Sequence, residues 1–418
     1  TWVSWFTARQ IERQKEKKKR WLIVECVVML GLLGFFKYTG FFLENIRLLT
    51  GFPREIPEIV LPIGISFYTF QLLSYVIDVY RGEVAAQPKY WKLLLYSSLF
   101  HQCIAGPIVR YQTVAEEIEE RKITYTDLSD GIRRFSVGLA KKAILANSCA
   151  SVADTLLPAG LEGLMAAPTL NLWLGMAFYM LQIYLDFSAY SDMAIGMGRM
   201  VGFHYLENFN YPYIAKSVQD FWRRWHISLS TFFRDYVYIP LGGSRAGNWI
   251  TVRNMLCVWG LTGLWHGASW NYVLWGLYMF LFLMGERFLY GKALKKIPAV
   301  GHIYAVIVIF FGWVLFKFEN MEELLTVFSG MFGGGHVLSS PETDILFKNN
   351  MFLLAFSIIA VTPTGKYIRN KWYELAGENK KIPYVMMFAD MVLPALLLVL
   401  SAMALVGNSY NPFLYFQF

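Results

Sequence analysis

The stretch between Arg253 and Glu286 has no Asp, Glu, Lys or Arg, and it holds one histidine, His266, within Gly263-Leu264-Trp265-His266-Gly267-Ala268-Ser269-Trp270. A bilayer crossing takes roughly 20 apolar residues, so this run is long enough to span. An ionisable side chain inside it needs a polar partner or a wet cavity. Imidazole titrates near neutrality and suits proton transfer, which makes His266 a candidate base. The competing reading is a buried histidine that bonds a carbonyl and serves packing alone. Gly260, Gly263 and Gly267 permit close helix approach, with Gly263 and Gly267 in a small-xxx-small step. Such approach is what a narrow substrate passage between helices requires.

A second group of reactive side chains lies in 216–245, KSVQDFWRRWHISLSTFFRDYVYIPLGGSR. Read as one helix, it pairs Asp220 with Arg224, packs Trp222 on His226 and puts His226 and Ser230 on one face. The segment is too polar to span lipid alone. It belongs at the interface, or inside the membrane where protein or water surrounds it. The plain alternative is an aromatic, basic interfacial helix without chemistry. His101 stands before Gly106-Pro107, which breaks a helix; a broken helix in a membrane protein often borders a cavity. Asp186 and Tyr190 share a helix face within YLDFSAYSDMAIG, as a supporting network or as a cap at the lipid boundary. His204, His302 and His336 fall near element ends and carry no assignment.

The elements that must position these groups are apolar helices. Of 418 residues, 56% are hydrophobic and 16% charged, against about 25% charged in soluble domains. Charge-free windows recur at 59–77, 93–109, 163–185, 297–316, 349–365 and after Asp390. With shorter pieces at 135–153 and 193–203 they predict about 10 or 11 membrane segments, some too short to span fully. Alternating strand patterns are absent, which excludes an outer-membrane barrel. The expected organisation is one domain over 1–418, with a loop at 330–348 carrying Gly333-Gly334-Gly335 and Ser339-Ser340-Pro341. Residues 110–131, mixed in charge, read as an interfacial helix or loop.

The basic run 9–20 holds seven Lys and Arg and abuts an apolar segment, which places it in the cytoplasm. The net charge of +8 fits Lys- and Arg-rich cytoplasmic loops better than nucleic-acid binding. Cys26, Cys103, Cys149 and Cys257 form no CxxC pair, so neither a thiol metal site nor a disulfide framework is expected. Walker, dinucleotide, HExxH and GxSxG motifs are missing.

Five motifs in order, LPIGISFYTFQLLSYVIDVYRG (61–82), IAGPIVR (104–110), YLDFSAYSDMAIGMGRMVGF (184–203), FWRRWHISLSTFFRDYVYIPLGG (221–243) and GLWHGASWNYVLWG (263–276), resemble the membrane-bound O-acyltransferase family, in its bacterial polysaccharide branch. The resemblance implies an all-helical integral membrane protein, a ring of membrane helices with re-entrant or interfacial helices around a central funnel. It puts the family's intramembrane histidine on His266 and its second histidine on His226. It further implies an acyl group, acetyl, taken from a cytoplasmic thioester such as acetyl-CoA with no bound cofactor or metal. The acceptor would be a hydroxyl of an extracytoplasmic glycan or of an esterase-like partner transferase, and the location the bacterial cytoplasmic membrane.

On that reading His266 is the base, and His226 orients, relays protons or stabilises the oxyanion. Arg223 and Arg224 hold donor phosphates. Trp222, Trp225 and Trp265 line the passage and keep water out. Two departures stand out. Many relatives carry another histidine soon after the final Trp-Gly, where this chain reads Leu277-Tyr278-Met279-Phe280. Relatives also begin with further apolar segments, and with Thr1 in the place of Met this predicts residues ahead of Thr1. The alternatives from the residues alone are a transporter or flippase for an acylated or glycan-linked lipid, and a scaffold docking an extracytoplasmic transferase.

Overall fold

The computed structural model describes residues 1–51, 59–104, 106–376, 382–407 and 412–414. Among the described residues there are helices and connecting segments and no strands. Five helices are long and apolar enough to cross a membrane: Lys15–Thr50, Trp270–Lys296, Pro298–Lys317, Pro341–Ala360 and Phe388–Val406. That is fewer than the ten or eleven segments the charge-free windows suggest. The windows at 59–77, 93–109 and 163–185 fold instead into helices that are shorter, interrupted or mostly buried: Ile65–Arg81, Tyr90–Ser98 and the start of Thr169–Met200. A window free of charge marks apolar surroundings, and protein supplies those as well as lipid does. Ala105, within the expected break near Gly106, lies outside the described residues.

The basic run 9–20 straddles a helical hairpin. Trp2–Arg13 ends within it, and Lys18–Thr50 starts from it, so that Lys15 to Arg20 are exposed at the turn. The two helices share a buried contact, Thr7 Oγ1 donating to Glu25 Oε2 at 3.0 Å. The mixed-charge segment 110–131 divides into Tyr111–Glu119 and the start of Tyr125–Ala140, the latter opened by a capping box between Thr124 and Asp127. The loop expected at 330–348 is shorter. Met321–Met331 runs into its start, and Ser340 caps Pro341–Ala360, whose first-turn proline needs no N–H partner.

Glycines set how closely the buried helices pack. Tyr125–Ala140 lies along Thr169–Met200, and a Cβ added to Gly131 would stand 2.7 Å from the Gly196 carbonyl oxygen. A Cβ on Gly138 would stand 2.8 Å from the Ala189 carbonyl oxygen. Asn248–His266 and Trp270–Gly285 approach through Gly263, whose added Cβ would clash with the Tyr272 carbonyl, and Gly276, whose Cβ would clash with that of Trp259. Gly267 faces the Tyr272 ring, whereas Gly260 faces open space and takes no part.

Charged residues between Tyr125–Ala140 and Thr169–Met200 are paired. Arg134 reaches Asp192 at 3.0 Å and also Glu207, and Lys141 reaches Asp192 at 2.5 Å. Beyond the end of Thr169–Met200, His204 Nδ1 meets Glu117 Oε1 at 2.6 Å and its Nε2 meets Asp127 Oδ1 at 3.1 Å. These two carboxylates raise the His204 pKa, Glu117 most.

Replacing Gly138 by Ala forces two helices apart and is expected to cost about 1–3 kcal/mol of stability by overpacking. Gly260→Ala should leave the melting temperature in detergent unchanged or slightly higher. Because His204 binds its proton more tightly folded than unfolded, its stabilisation is complete below about pH 6.5, the ordinary histidine value, and fades as pH rises through the raised folded value. His204→Ala should therefore lower the melting temperature at pH 6 and leave it nearly unchanged at pH 9.

Candidate functional site

His266 is the last residue of Asn248–His266, and Gly267 follows it in an extended conformation. The residue is 7% exposed, and its ring makes edge contacts with Trp265, Trp275 and Phe316 at centroid distances of 5.0, 5.1 and 5.2 Å. Its buried Nδ1 has no hydrogen-bond partner among the described residues. A histidine kept for packing would normally bond a carbonyl; this ring nitrogen bonds none among the described residues, and neither does Nδ1 of His101. His266 also borders two cavities. One has a volume of about 190 Å³ and is lined by Lys37, Ile63, Ser66, Phe67 and Trp265. The other is a crevice of about 20 Å³, room for about one water molecule, lined by Asp186, Phe187, Trp225, Trp275 and Leu414.

His226 arrives by a broken helix. The segment 216–245 does not run as one helix: Val218–Arg224 stops, His226 adopts φ +44°, and Ile227–Phe233 begins. A left-handed φ at a non-glycine residue is costly and marks a site held by its surroundings. The break corrects two expected contacts. His226 packs on Phe187 and Trp265 (4.8 and 5.9 Å) rather than on Trp222. Ser230 bonds the Trp222 carbonyl. The i,i+4 pair of Asp220 and Arg224 does form, at 2.9 Å, within the first short helix.

The proton on His226 follows from Asn208. The Asn208 Oδ1 accepts from the Ser228 N–H at 3.2 Å and the Ser228 hydroxyl at 2.9 Å, while its Nδ2 donates to Ser191 at 3.1 Å. A backbone N–H can only donate, so the amide orientation is settled. His226 Nδ1 lies 3.1 Å from the same Oδ1 and 3.3 Å from the Ser228 hydroxyl, and the shorter contact to an acceptor assigns it the proton. Neutral His226 therefore presents a lone pair at Nε2, which is buried and has no partner among the described residues.

The other expected site residues divide. Trp265 lies between the two imidazoles and lines the larger cavity, and Trp225 lines the smaller. Trp222 lines neither; it supports Trp275 and Trp259 through edge contacts at 5.5 and 4.9 Å. Arg224 is occupied by Asp220 and the Asn210 carbonyl, Arg223 is exposed, and neither lines the cavities at His266. Asp186 borders the smaller cavity with both oxygens engaged, by Lys142 at 2.6 Å and the Leu414 N–H at 2.7 Å. Tyr190, on the same face, packs on Phe413 at 5.0 Å. His101 bonds the Tyr205 hydroxyl beside Phe203 and is not brought to the two cavities. Sequence reasoning missed Asn208, Lys37 and Tyr38. Asn208 sits in a loop, where an amide carries no spacing signal; the intramembrane charge of Lys37 was the available clue.

Comparison with known proteins gives a consistent picture. The family model described as membrane-bound O-acyltransferase matches residues 83–322, which include both histidines. A probable alginate O-acetylase of Azotobacter vinelandii is 37% identical over 96% of this chain and 86% of its own length. A peptidoglycan O-acetyltransferase of Helicobacter pylori is 33% identical over 99% of this chain and 86% of its own. A teichoic acid D-alanyltransferase of Bacillus subtilis is 30% identical over 61% of this chain and 68% of its own.

Asn208 is 1% exposed, so Asn208→Ala would take the acceptor away from buried His226 and from the half-buried Ser228. The expected cost is about 2–5 kcal/mol, read as a lower melting temperature of the purified protein, with Asn208→Asp less damaging because it keeps the acceptor.

Proposed function

The chain belongs to the membrane-bound O-acyltransferase family, and from that premise we propose that it takes an acetyl group from a cytoplasmic thioester such as acetyl-CoA and passes it, at His266, to a hydroxyl supplied from the other side of the membrane. The acceptor is an extracytoplasmic polysaccharide or an esterase-like partner transferase that serves one. The location proposed is the bacterial cytoplasmic membrane, with the exposed run Lys15 to Arg20 in the cytoplasm.

One observation carries the reading: a buried imidazole with an unpartnered nitrogen borders two separate cavities. The larger cavity has room for a reactant against the imidazole, and the smaller, of about 20 Å³, reaches it from among Asp186, Trp225 and Trp275. His266 takes the proton of the attacking hydroxyl, and the oxygen adds to the thioester carbonyl. The tetrahedral intermediate collapses with cleavage of the carbon–sulfur bond. The thiolate leaves and recovers the proton from the imidazolium, so the histidine is regenerated. His226 with its Nδ1–H committed to Asn208 can receive a proton at Nε2 but cannot, while neutral, donate to an oxyanion. This favours relay and orientation over oxyanion stabilisation among its possible roles. Trp225 and Trp265 keep the cavities apolar and limit hydrolysis of the thioester. For Arg223 and Arg224 the role that remains open to them is a peripheral one, holding donor phosphates away from the reacting atoms.

Transfer of labelled acetyl from acetyl-CoA by the purified protein with its partners tests the reading and separates it from transport. His266→Ala should reduce the rate at least about 100-fold, the range of general-base catalysis, in protein that still inserts and accumulates normally. A rate near wild type would remove His266 from the chemistry. Arg223→Ala combined with Arg224→Ala should raise the KM for the donor and leave kcat nearly unchanged; an unchanged KM rejects their role.

A further inference from the structure

Asn248–His266 ends inside the protein, and the last four carbonyls of a helix have no partner within it. In an apolar interior each must be satisfied by another donor. The Gly263 carbonyl takes the Gly267 N–H at 3.4 Å. The next three are met from a helix more than two hundred residues earlier in the chain. The Tyr38 hydroxyl donates to Leu264 at 2.7 Å, and the Lys37 ammonium donates to Trp265 and, at 3.5 Å, to His266. The same helix, Lys18–Thr50, also holds the far side of the turn. Asn45 accepts from the Trp270 indole at 3.0 Å, and Phe41 packs on that ring at 5.7 Å.

Lys37 is an expensive way to cap a helix. It makes no ion pair among the described residues, and its charge is met by the negative end of the Asn248–His266 dipole, by Ser66 Oγ at 3.5 Å and by the face of Trp265. An ammonium has three donors, and Trp265, His266 and Ser66 use all three. It lines the larger cavity beside His266, and its shortest hydrogen bond goes to the Trp265 carbonyl. A neutral residue would pack there at lower cost, so the charge is retained for what it holds in place.

We propose that Lys37 and Tyr38 are positioning residues for acyl transfer: they clamp the final carbonyls of the helix that ends in His266 and so set its imidazole between the two cavities. The clamp rests on the proposed role of His266. Lys37 lies outside the region matched by the family model.

The test compares Lys37→Met, Lys37→Arg, Tyr38→Phe and His266→Ala in the purified acetyl-transfer assay, with thermal melting measured in parallel. The expected result for Lys37→Met is a fall in kcat of about 10- to 100-fold, the effect typical of residues that orient a reacting group, with the donor KM within about twofold. Lys37→Arg, which keeps charge and donors, should recover much of the loss. Wild-type kcat in Lys37→Met beside an inactive His266→Ala would overturn the clamp alone. So would a loss that appears in KM, which would make Lys37 a substrate ligand. Activity in His266→Ala would overturn the preceding reading and the clamp with it. If Lys37→Met does not fold, Tyr38→Phe decides: a clear fall in kcat at an unchanged melting temperature supports the clamp, and an unchanged kcat rejects it.

Discussion

Backbone and side-chain polar groups buried in an apolar interior must find partners within the protein, and this constraint organises the whole site. A helix that crosses lipid from one interface to the other satisfies itself apart from its ends, which reach water. Asn248–His266 ends in the interior instead. Its terminal carbonyls would each cost several kcal/mol if left unpaired, and Lys18–Thr50 supplies donors to three of them. The same accounting explains Asn208, one amide that satisfies two donors of Ser228 and one of His226 while itself donating to Ser191. Nδ1 of His266 and Nε2 of His226 stay unpartnered among the described residues, as do the buried indole nitrogens of Trp222, Trp275 and Trp313 beside them.

Satisfaction at this density requires short distances between helices, and glycine provides them. Gly263 and Gly276 let Asn248–His266 and Trp270–Gly285 touch backbone to backbone, which seats Trp275 against the His266 ring. Gly131, Gly138 and Gly196 do the same for Tyr125–Ala140 and Thr169–Met200. That second pair carries Asp186 to the smaller cavity and lets Lys142, in the π-helical turn Lys141–Ala146, reach it. Aromatic residues fill the space left over. Trp222, Trp225, Trp259, Trp275 and Trp313 form a continuous set of edge and stacked contacts, in which ring shape, rather than hydrogen bonding, sets position.

Much of this was legible from the chain alone. An all-helical membrane protein follows from apolar runs without alternation, and the family follows from motifs of which four of the five lie within the matched region 83–322. The Asp220–Arg224 pair and the close approach at Gly263 are local in origin and appear as expected. What failed was continuity. Residues 216–245 read as one amphipathic helix, but the chain turns at His226, because Asn208 and Trp265 hold that residue in a conformation its own sequence does not favour. The shorter charge-free windows form helices that are short, interrupted or mostly buried, because hydropathy responds equally to lipid and to a buried protein interior.

Composition and spacing determined what each segment can tolerate, and hence that His266 sits in a dry helix and needs a reason to be there. Tertiary structure alone decided its neighbours. Lys37 and Tyr38 meet Leu264, Trp265 and His266 across more than 220 residues of chain, and Asn208 meets His226 from a separate loop. No periodicity encodes such meetings, because they depend on helix crossing and closest approach, which are properties of packed surfaces rather than of any one segment.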